Sequence, residues 1–202
     1  MNKEIITAEI ATSEYIAQFR DVNKFIEFCK VCNNYNRMWS CPPLDAPICC
    51  KAKDIEAFSV VTIIGIKINI DAEIRCKPSN IEERDILIRD ILFEVRKEFD
   101  KKLLLLEQQI EPSLLYYAGS CRVCAPESCS RIDNKPCRFP DKMRSTLEAV
   151  GFDMGRTTSE LLGIELKWCD NLILPPYFTL IYGFVSNDSI ADQIKHIIIE
   201  FN

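Results

Sequence analysis

The chain has 202 residues, a hydrophobic fraction of 48% and a formal net charge of −5. That length buries a real core in one domain, 1–202, without cysteine staples, and the acidic balance argues against nucleic acid or an anionic membrane as partner. A single histidine, His196, excludes three-histidine zinc enzymes, two-histidine iron triads and H-E-x-x-H proteases.

The first residues, Met1 to Ile10, lack the long apolar stretch of a signal peptide and carry Glu4 and Glu9 early. The eleven cysteines are an odd number, so the chain reads as cytoplasmic with reduced thiols rather than as a disulfide scaffold. In chain order, Ile5–Ile10 reads as a short strand. Ser13–Phe28 reads as a helix, with Ile16, Phe19, Val22 and Ile26 on one side, delivering the chain to Cys29. Ala57–Ile70 is rich in Val, Ile and Thr and reads as a strand. The apolar run within it is broken by Thr62, Gly65, Lys67 and Asn69, so it is no membrane span.

Asn80 and Glu83 match a capping box. The helix that follows carries Ile88, Ile91, Leu92, Val95 and Phe99 at helical spacing and continues through Leu106, before Pro112 stops it. Leu114–Ala118 reads as a strand, and Gly119-Ser120 turns directly into Cys121. Asp141 is expected to cap a short helix bearing Met143, Leu147 and Val150, ended by Gly151. Thr157 with Glu160 suggests a second capping box, opening a helix towards Trp168. Pro175-Pro176 sets a rigid loop, Tyr177–Val185 is a strand, and Ser189–Ile199 is a helix with His196 on the flank of its apolar stripe. The expected fold is α+β (or α/β): a single layered domain with a small sheet, flanking helices and cysteine-rich metal-binding loops at 29–50 and 119–140.

Two cysteine blocks carry the chemistry. The second holds Cys121, Cys124, Cys129 and Cys137, spaced C-x2-C-x4-C-x7-C within 17 residues. A C-x-x-C knuckle puts two sulfurs on one metal face, and the other two cysteines close the set after one small loop each. Pro126, Pro136 and Pro140 stiffen these loops. Arg122, Arg131, Lys135, Arg138, Lys142 and Arg144 outnumber the local acids and would offset the charge of metal-bound thiolates. The first block supplies Cys29, Cys32 and Cys41, with Cys49, Cys50 or Cys76 as a fourth ligand, or with one position left open for an exogenous ligand or substrate. Tyr35, Trp39, Phe25 and Phe28 accompany it, either as a wall that limits solvent or as core. A single zinc site from Cys29, Cys32, Cys121 and Cys124 would need an 88-residue gap between knuckles, far beyond ordinary zinc ribbons. Cys76 and Cys169 read as structural.

These residues resemble a family of bacterial and archaeal proteins described as predicted metal-binding, the DUF2284 family. One segment of the resemblance is Cys29-x2-Cys32-x2-Tyr35-x3-Trp39-x-Cys41-Pro42-Pro43. The other begins at Gly119-Ser120-Cys121-x2-Cys124. It continues through Pro136-Cys137-Arg138-x-Pro140 and Arg144-Ser145-x2-Glu148-Ala149-x-Gly151-x-Asp153. Cys129 follows Cys124 at a longer gap than the family's. The resemblance implies metal binding, with an iron–sulfur cluster the expected group.

The expected function is therefore a cysteine-ligated iron–sulfur protein, carrying a [4Fe-4S] cluster for electron transfer or as accessory to a redox enzyme, with a redox partner protein. The alternatives are a zinc-binding structural or interaction module, and a redox enzyme with an open-site cluster whose pocket includes the loop Asn171–Pro176. No glycine arrangement forms a dinucleotide fingerprint or a P-loop.

Overall fold

The computed structural model describes residues 2–44, 51–169 and 171–201. Four antiparallel strands form one sheet in the order β1-β2-β4-β3, where β1 is Lys3–Ala11, β2 is Val60–Asn69, β3 is Ser113–Tyr116 and β4 is Tyr177–Ser186. With no parallel pair in the sheet, the fold is α+β.

Both faces of the sheet are covered, as the side-chain alternation of the central strands requires. Ile64, Ile66 and Ile68 of β2, with Phe178, Leu180, Tyr182 and Phe184 of β4, point to one face and pack in the core that includes Phe99, Leu103 and Ile194. Val61, Ile63 and Val185 point to the other, against Tyr15, Met143, Leu147, Phe152 and Leu162. Helix α1 (Thr12–Phe19) contributes Tyr15 and Phe19 to this second core, whose remaining cover is largely irregular chain from 143 to 164. Two glycines let it close down: a Cβ on Gly183 would meet Leu147 Cδ1 at 2.8 Å, and one on Gly65 would meet Leu162 Cδ1 at 2.6 Å.

The expected helix over Ser13–Phe28 is two helices. The chain breaks at Arg20-Asp21, and Asp21 accepts from Lys24 N at 3.0 Å to cap α2 (Val22–Lys30). The break serves a strap: Asp153 N donates to Phe19 O at 2.8 Å, Asp21 N to Gly151 O at 2.8 Å and Arg20 Nε to Val150 O at 3.0 Å. No residue of α2 is fully buried, so tertiary hydrogen bonds rather than an apolar face orient it.

The long helix α3 (Ile81–Gln109) follows its capping signal. Glu83 N donates to Asn80 Oδ1 at 2.9 Å, and Glu83 Oε2 reaches back to Ser79 N at 2.8 Å. Ile91, Val95, Phe99, Leu103 and Leu106 form its buried stripe. The final helix, α4 (Ala191–Phe201), buries Ile194 and leaves His196 exposed.

Two expected helices are absent. No α-helix begins at Asp141; only Glu148–Val150 winds as a 3-10 turn, although Met143, Leu147 and Val150 are all buried. The segment is instead held by Tyr117 N donating to Ser145 O at 2.9 Å. Nor does a helix run from Thr157 to Trp168. Asp153 caps Met154–Arg156, a π-type turn follows over Thr157–Leu161, and Gly163 leaves it at φ 66°. Thr157 spends its hydroxyl on Tyr15 OH, 3.0 Å away in the core, so it cannot cap.

Candidate metal centre

The last turn of α2 presents Cys29, and successive tight turns carry the chain through Cys32 to Cys41. Cys32 N donates to Cys29 O, Tyr35 N to Cys32 O and Cys41 N to Met38 O, at 3.0–3.1 Å. Asn36, at φ 53°, closes the loop by donating its N–H to Pro42 O at 2.8 Å. Asn34 N points at Cys32 Sγ, 3.5 Å away, the arrangement in which a backbone amide stabilises a thiolate.

The second block hangs from α3. Arg96, 6% exposed, donates to Ser120 O at 3.0 Å and to Asp100 Oδ2 at 3.1 Å, while Asp100 Oδ1 accepts from Tyr182 OH at 2.6 Å. The residue before Cys121 is thereby tied to the sheet through buried Arg96 and half-buried Asp100. Ala125 N closes a turn on Arg122 O at 3.0 Å. A 3-10 turn over Ser130–Asp133, ended by Asn134 at φ 54°, separates Cys129 from Cys137, with Ser130 Oγ donating to Pro136 O at 2.8 Å.

All four cysteines of this block, Cys121, Cys124, Cys129 and Cys137, line one cleft of ≈ 910 Å³. Cys29, Cys32 and Cys41 lie outside its lining. Asn33, Asn34 and residues 37–40, all between Cys32 and Cys41, do contribute to the wall, so the first loop forms one side of the second block's cleft.

Ser40 and Arg131 are the buried residues that join the blocks. Ser40 is fully buried; its hydroxyl accepts from Cys121 N at 3.2 Å and lies 3.8 Å from Cys41 Sγ, while its carbonyl accepts from Ser145 Oγ at 2.6 Å. Arg131, 7% exposed, donates to Met38 O (3.1 Å), Cys41 O (3.0 Å), Pro43 O (2.9 Å) and Asn36 Oδ1 (3.0 Å). Its guanidinium also lies 4.9 Å from the Trp39 ring centroid, and Trp39 Nε1 donates to Lys135 O at 3.2 Å. The sequence marks Arg131 only as one more local cation and gives no sign of Ser40 beyond its place beside Cys41.

Four of the thiols, Cys29, Cys41, Cys121 and Cys137, are biased towards the neutral form. Burial pushes Cys121 up to about 11, with Cys137, Cys124 and Cys129 adding repulsion and the Val123 amide opposing. Burial likewise pushes Cys41 up to about 11; Ser40 opposes, and Cys32, Cys29 and Cys121 add to it. Cys29 and Cys137 are raised by burial first and by neighbouring thiols next. Mutual repulsion of this kind reflects sulfurs gathered within each block, with Cys121 adding to the repulsion on Cys41. Among the described residues, no three Cys, His, Asp or Glu side chains already close on one ion, so binding would draw the sulfurs inward and expel protons. The donor set, soft thiols throughout, fits a thiophilic metal or an iron–sulfur cluster.

The expected basic surround is mostly committed elsewhere. Arg144 pairs with Glu107, Arg138 bridges Glu127 and Ser128 O, and Arg131 serves the carbonyls of the first loop. Arg138 still lowers a thiol, Cys137, against the burial that raises it. Cys49 and Cys50 lie outside the described residues. Cys76 is exposed rather than packed, and Cys169 donates to Asn171 O at 3.2 Å. Neither cysteine, nor the loop Asn171–Pro176, lines the cleft; Leu174 of that loop instead pairs with Arg75.

Residues 13–181 match the family described as predicted metal-binding protein (DUF2284). The chain belongs to that family. The match spans both cysteine blocks, the strap at Phe19–Asp153 and the first half of β4, so it covers most of the frame that positions the thiols. No curated protein and no solved structure matches the chain. Among the described residues, no helix is long and apolar enough to cross a membrane.

Proposed function

We propose that Cys121, Cys124, Cys129 and Cys137 hold an iron–sulfur cluster, of [4Fe-4S] type, and that the protein passes electrons to a partner or supports a redox enzyme in the cytoplasm. The observation that carries this reading is the convergence of four cysteines from 17 residues of chain on one cleft, in a member of a metal-binding family. Cys29, Cys32 and Cys41 form a second, three-thiol site that adjoins the first through Ser40. Its remaining position is open to an exogenous ligand.

Such a cluster supplies reversible one-electron chemistry. The chain's own residues supply the setting. Arg96 fixes the backbone entering the cleft, Ser40 and Arg131 fix the two loops against each other, and the Asn34 amide faces the Cys32 sulfur. The half-buried state of Cys121 and Cys41 restricts water around their sulfurs, a condition that tunes a cluster's potential.

The test is iron, zinc and acid-labile sulfide per chain, with a visible spectrum, on protein purified without oxygen. Iron and sulfide in equal amounts, near fourfold per chain and in a brown sample bleached by dithionite, support the reading. Zinc without sulfide or colour would replace it with a zinc-binding structural or interaction module.

A further inference from the structure

The cleft beside the second block has room and charge that a metal centre does not use. Its volume, ≈ 910 Å³, lies at the upper end of the roughly 300–1,000 Å³ of small-molecule sites. Four cysteines occupy one part of its wall. Elsewhere the lining mixes polar and charged side chains with apolar ones, the largest of which are Trp39, Phe93 and Phe139.

The charge of the lining is unbalanced. Its two carboxylates are both engaged, Asp90 with Arg89 at 3.0 Å and Glu127 with Arg138 at 2.7 Å. Arg37 and Arg122 line the same cleft and have no salt-bridge partner among the described residues. Arg122 is placed rather than loose: its guanidinium lies 5.9 Å from the Phe93 ring centroid. Phe93 stands four residues after Arg89 and three before Arg96, so all three share one face of α3. Arg122 therefore sits beside the face of α3 that also carries Arg89 and Arg96. A guanidinium held over a ring keeps its planar fork of donors for a carboxylate or phosphate.

We propose that this cleft binds a small organic anion, a carboxylate or phosphate ester on an apolar, ring-sized body, with Arg37 and Arg122 taking the charge and Trp39, Phe93 and Phe139 flanking the body. The bound molecule lies beside the cysteine wall. The site goes beyond the metal reading and stands without it. The competing role for the two arginines is to neutralise the charge of thiolates on a metal.

Trp39 and Trp168 are the two tryptophans of the chain, so a Trp168→Phe background leaves Trp39 as sole reporter inside the cleft. Full-length protein, purified without oxygen, is titrated with phenyl phosphate, benzoate and the neutral control phenol. Trp39 emission and calorimetry are read together, with metal content assayed in parallel. Both anions are expected to saturate, with phenol at least about tenfold weaker. Arg37→Gln and Arg122→Gln should each weaken phenyl phosphate about tenfold, the loss of one charge-assisted contact, at unchanged metal content.

No saturable binding of either anion, phenol binding as tightly as they do, or unchanged affinity in both variants overturns the proposal. Variants that lose metal but keep anion affinity overturn it too, in favour of the neutralising role. Because Arg122 adjoins Cys121, Arg37→Gln decides if Arg122→Gln loses metal and ligand together. Anion binding in a protein that carries neither iron nor zinc would sink the metal reading and leave this one standing.

Discussion

Replacing Arg131 should separate the two cysteine loops. The side chain donates four hydrogen bonds at 2.9–3.1 Å to the segment 36–43, three of them to carbonyls. With a charged donor, each contributes about 1.5 kcal/mol at the low end. Water reaching the freed carbonyls recovers about half, so Arg131→Met is expected to cost about 3 kcal/mol. Arg131→Lys should lose nearly as much, because one ammonium cannot span carbonyls that a planar fork reaches together. Urea unfolding of metal-free protein gives the stability change, and metal retention on anaerobic desalting gives the consequence for the centre. If Arg131→Met unfolds within about 0.5 kcal/mol of the wild type, the range of an ordinary surface substitution, and keeps its metal, the joining role assigned to Arg131 is wrong.

Three further outcomes follow from the same geometry. Gly151 stands at φ 95°, and a Cβ there would meet Val22 Cα at 2.7 Å, so Gly151→Ala should destabilise by about 2 kcal/mol or more in thermal or urea unfolding. Cys121→Ser with Cys124→Ser should abolish metal at the second block, whereas Cys169→Ser, away from the cleft, should leave it intact; elemental analysis of the three proteins decides. For Cys121 and Cys41, raised from 9.0 to about 11, the sign is that of a group kept protonated by folding. Their contribution is complete below pH 9 and is lost as pH climbs to 11. Metal-free protein should therefore lose stability across that window, and a midpoint flat from pH 9 to 11 would contradict the burial of these thiols.

The strands and the long helix were legible because single-chain patterns dictate them. Alternation from Val60 to Asn69 places Ile64, Ile66 and Ile68 on one face, and the Asn80–Glu83 pair closes the start of α3 as a local hydrogen bond. The segments after Cys137 were not. Met143, Leu147 and Val150 keep helical spacing, yet they are buried from chain held by Tyr117 and by Ser40, whose carbonyl takes the Ser145 hydroxyl. Those partners lie far off in sequence, and no local propensity reports them. The same holds at the site. Spacing identifies Cys121, Cys124, Cys129 and Cys137 as one group, which the cleft brings together. The contact between the blocks depends on Ser40 and Arg131, and Arg37, Arg89 and Arg122 meet from three separate elements. Asp21 breaks a helix that periodicity alone would continue, because its side chain caps the next one.

The distance along the chain between Cys41 and Arg131, 90 residues, sets a clock on synthesis. A ribosome adds about 5–20 residues per second, so the first three thiols emerge roughly 5–20 s before the guanidinium that fastens their loop. For most of that interval Cys29, Cys32 and Cys41 have neither the second loop nor the cleft wall beside them. Their exposure to oxidants and to stray thiophilic ions is greatest before the protein is complete. Any metal loading at the proposed three-thiol site is therefore expected only once Arg131 and Ser40 have set its shape.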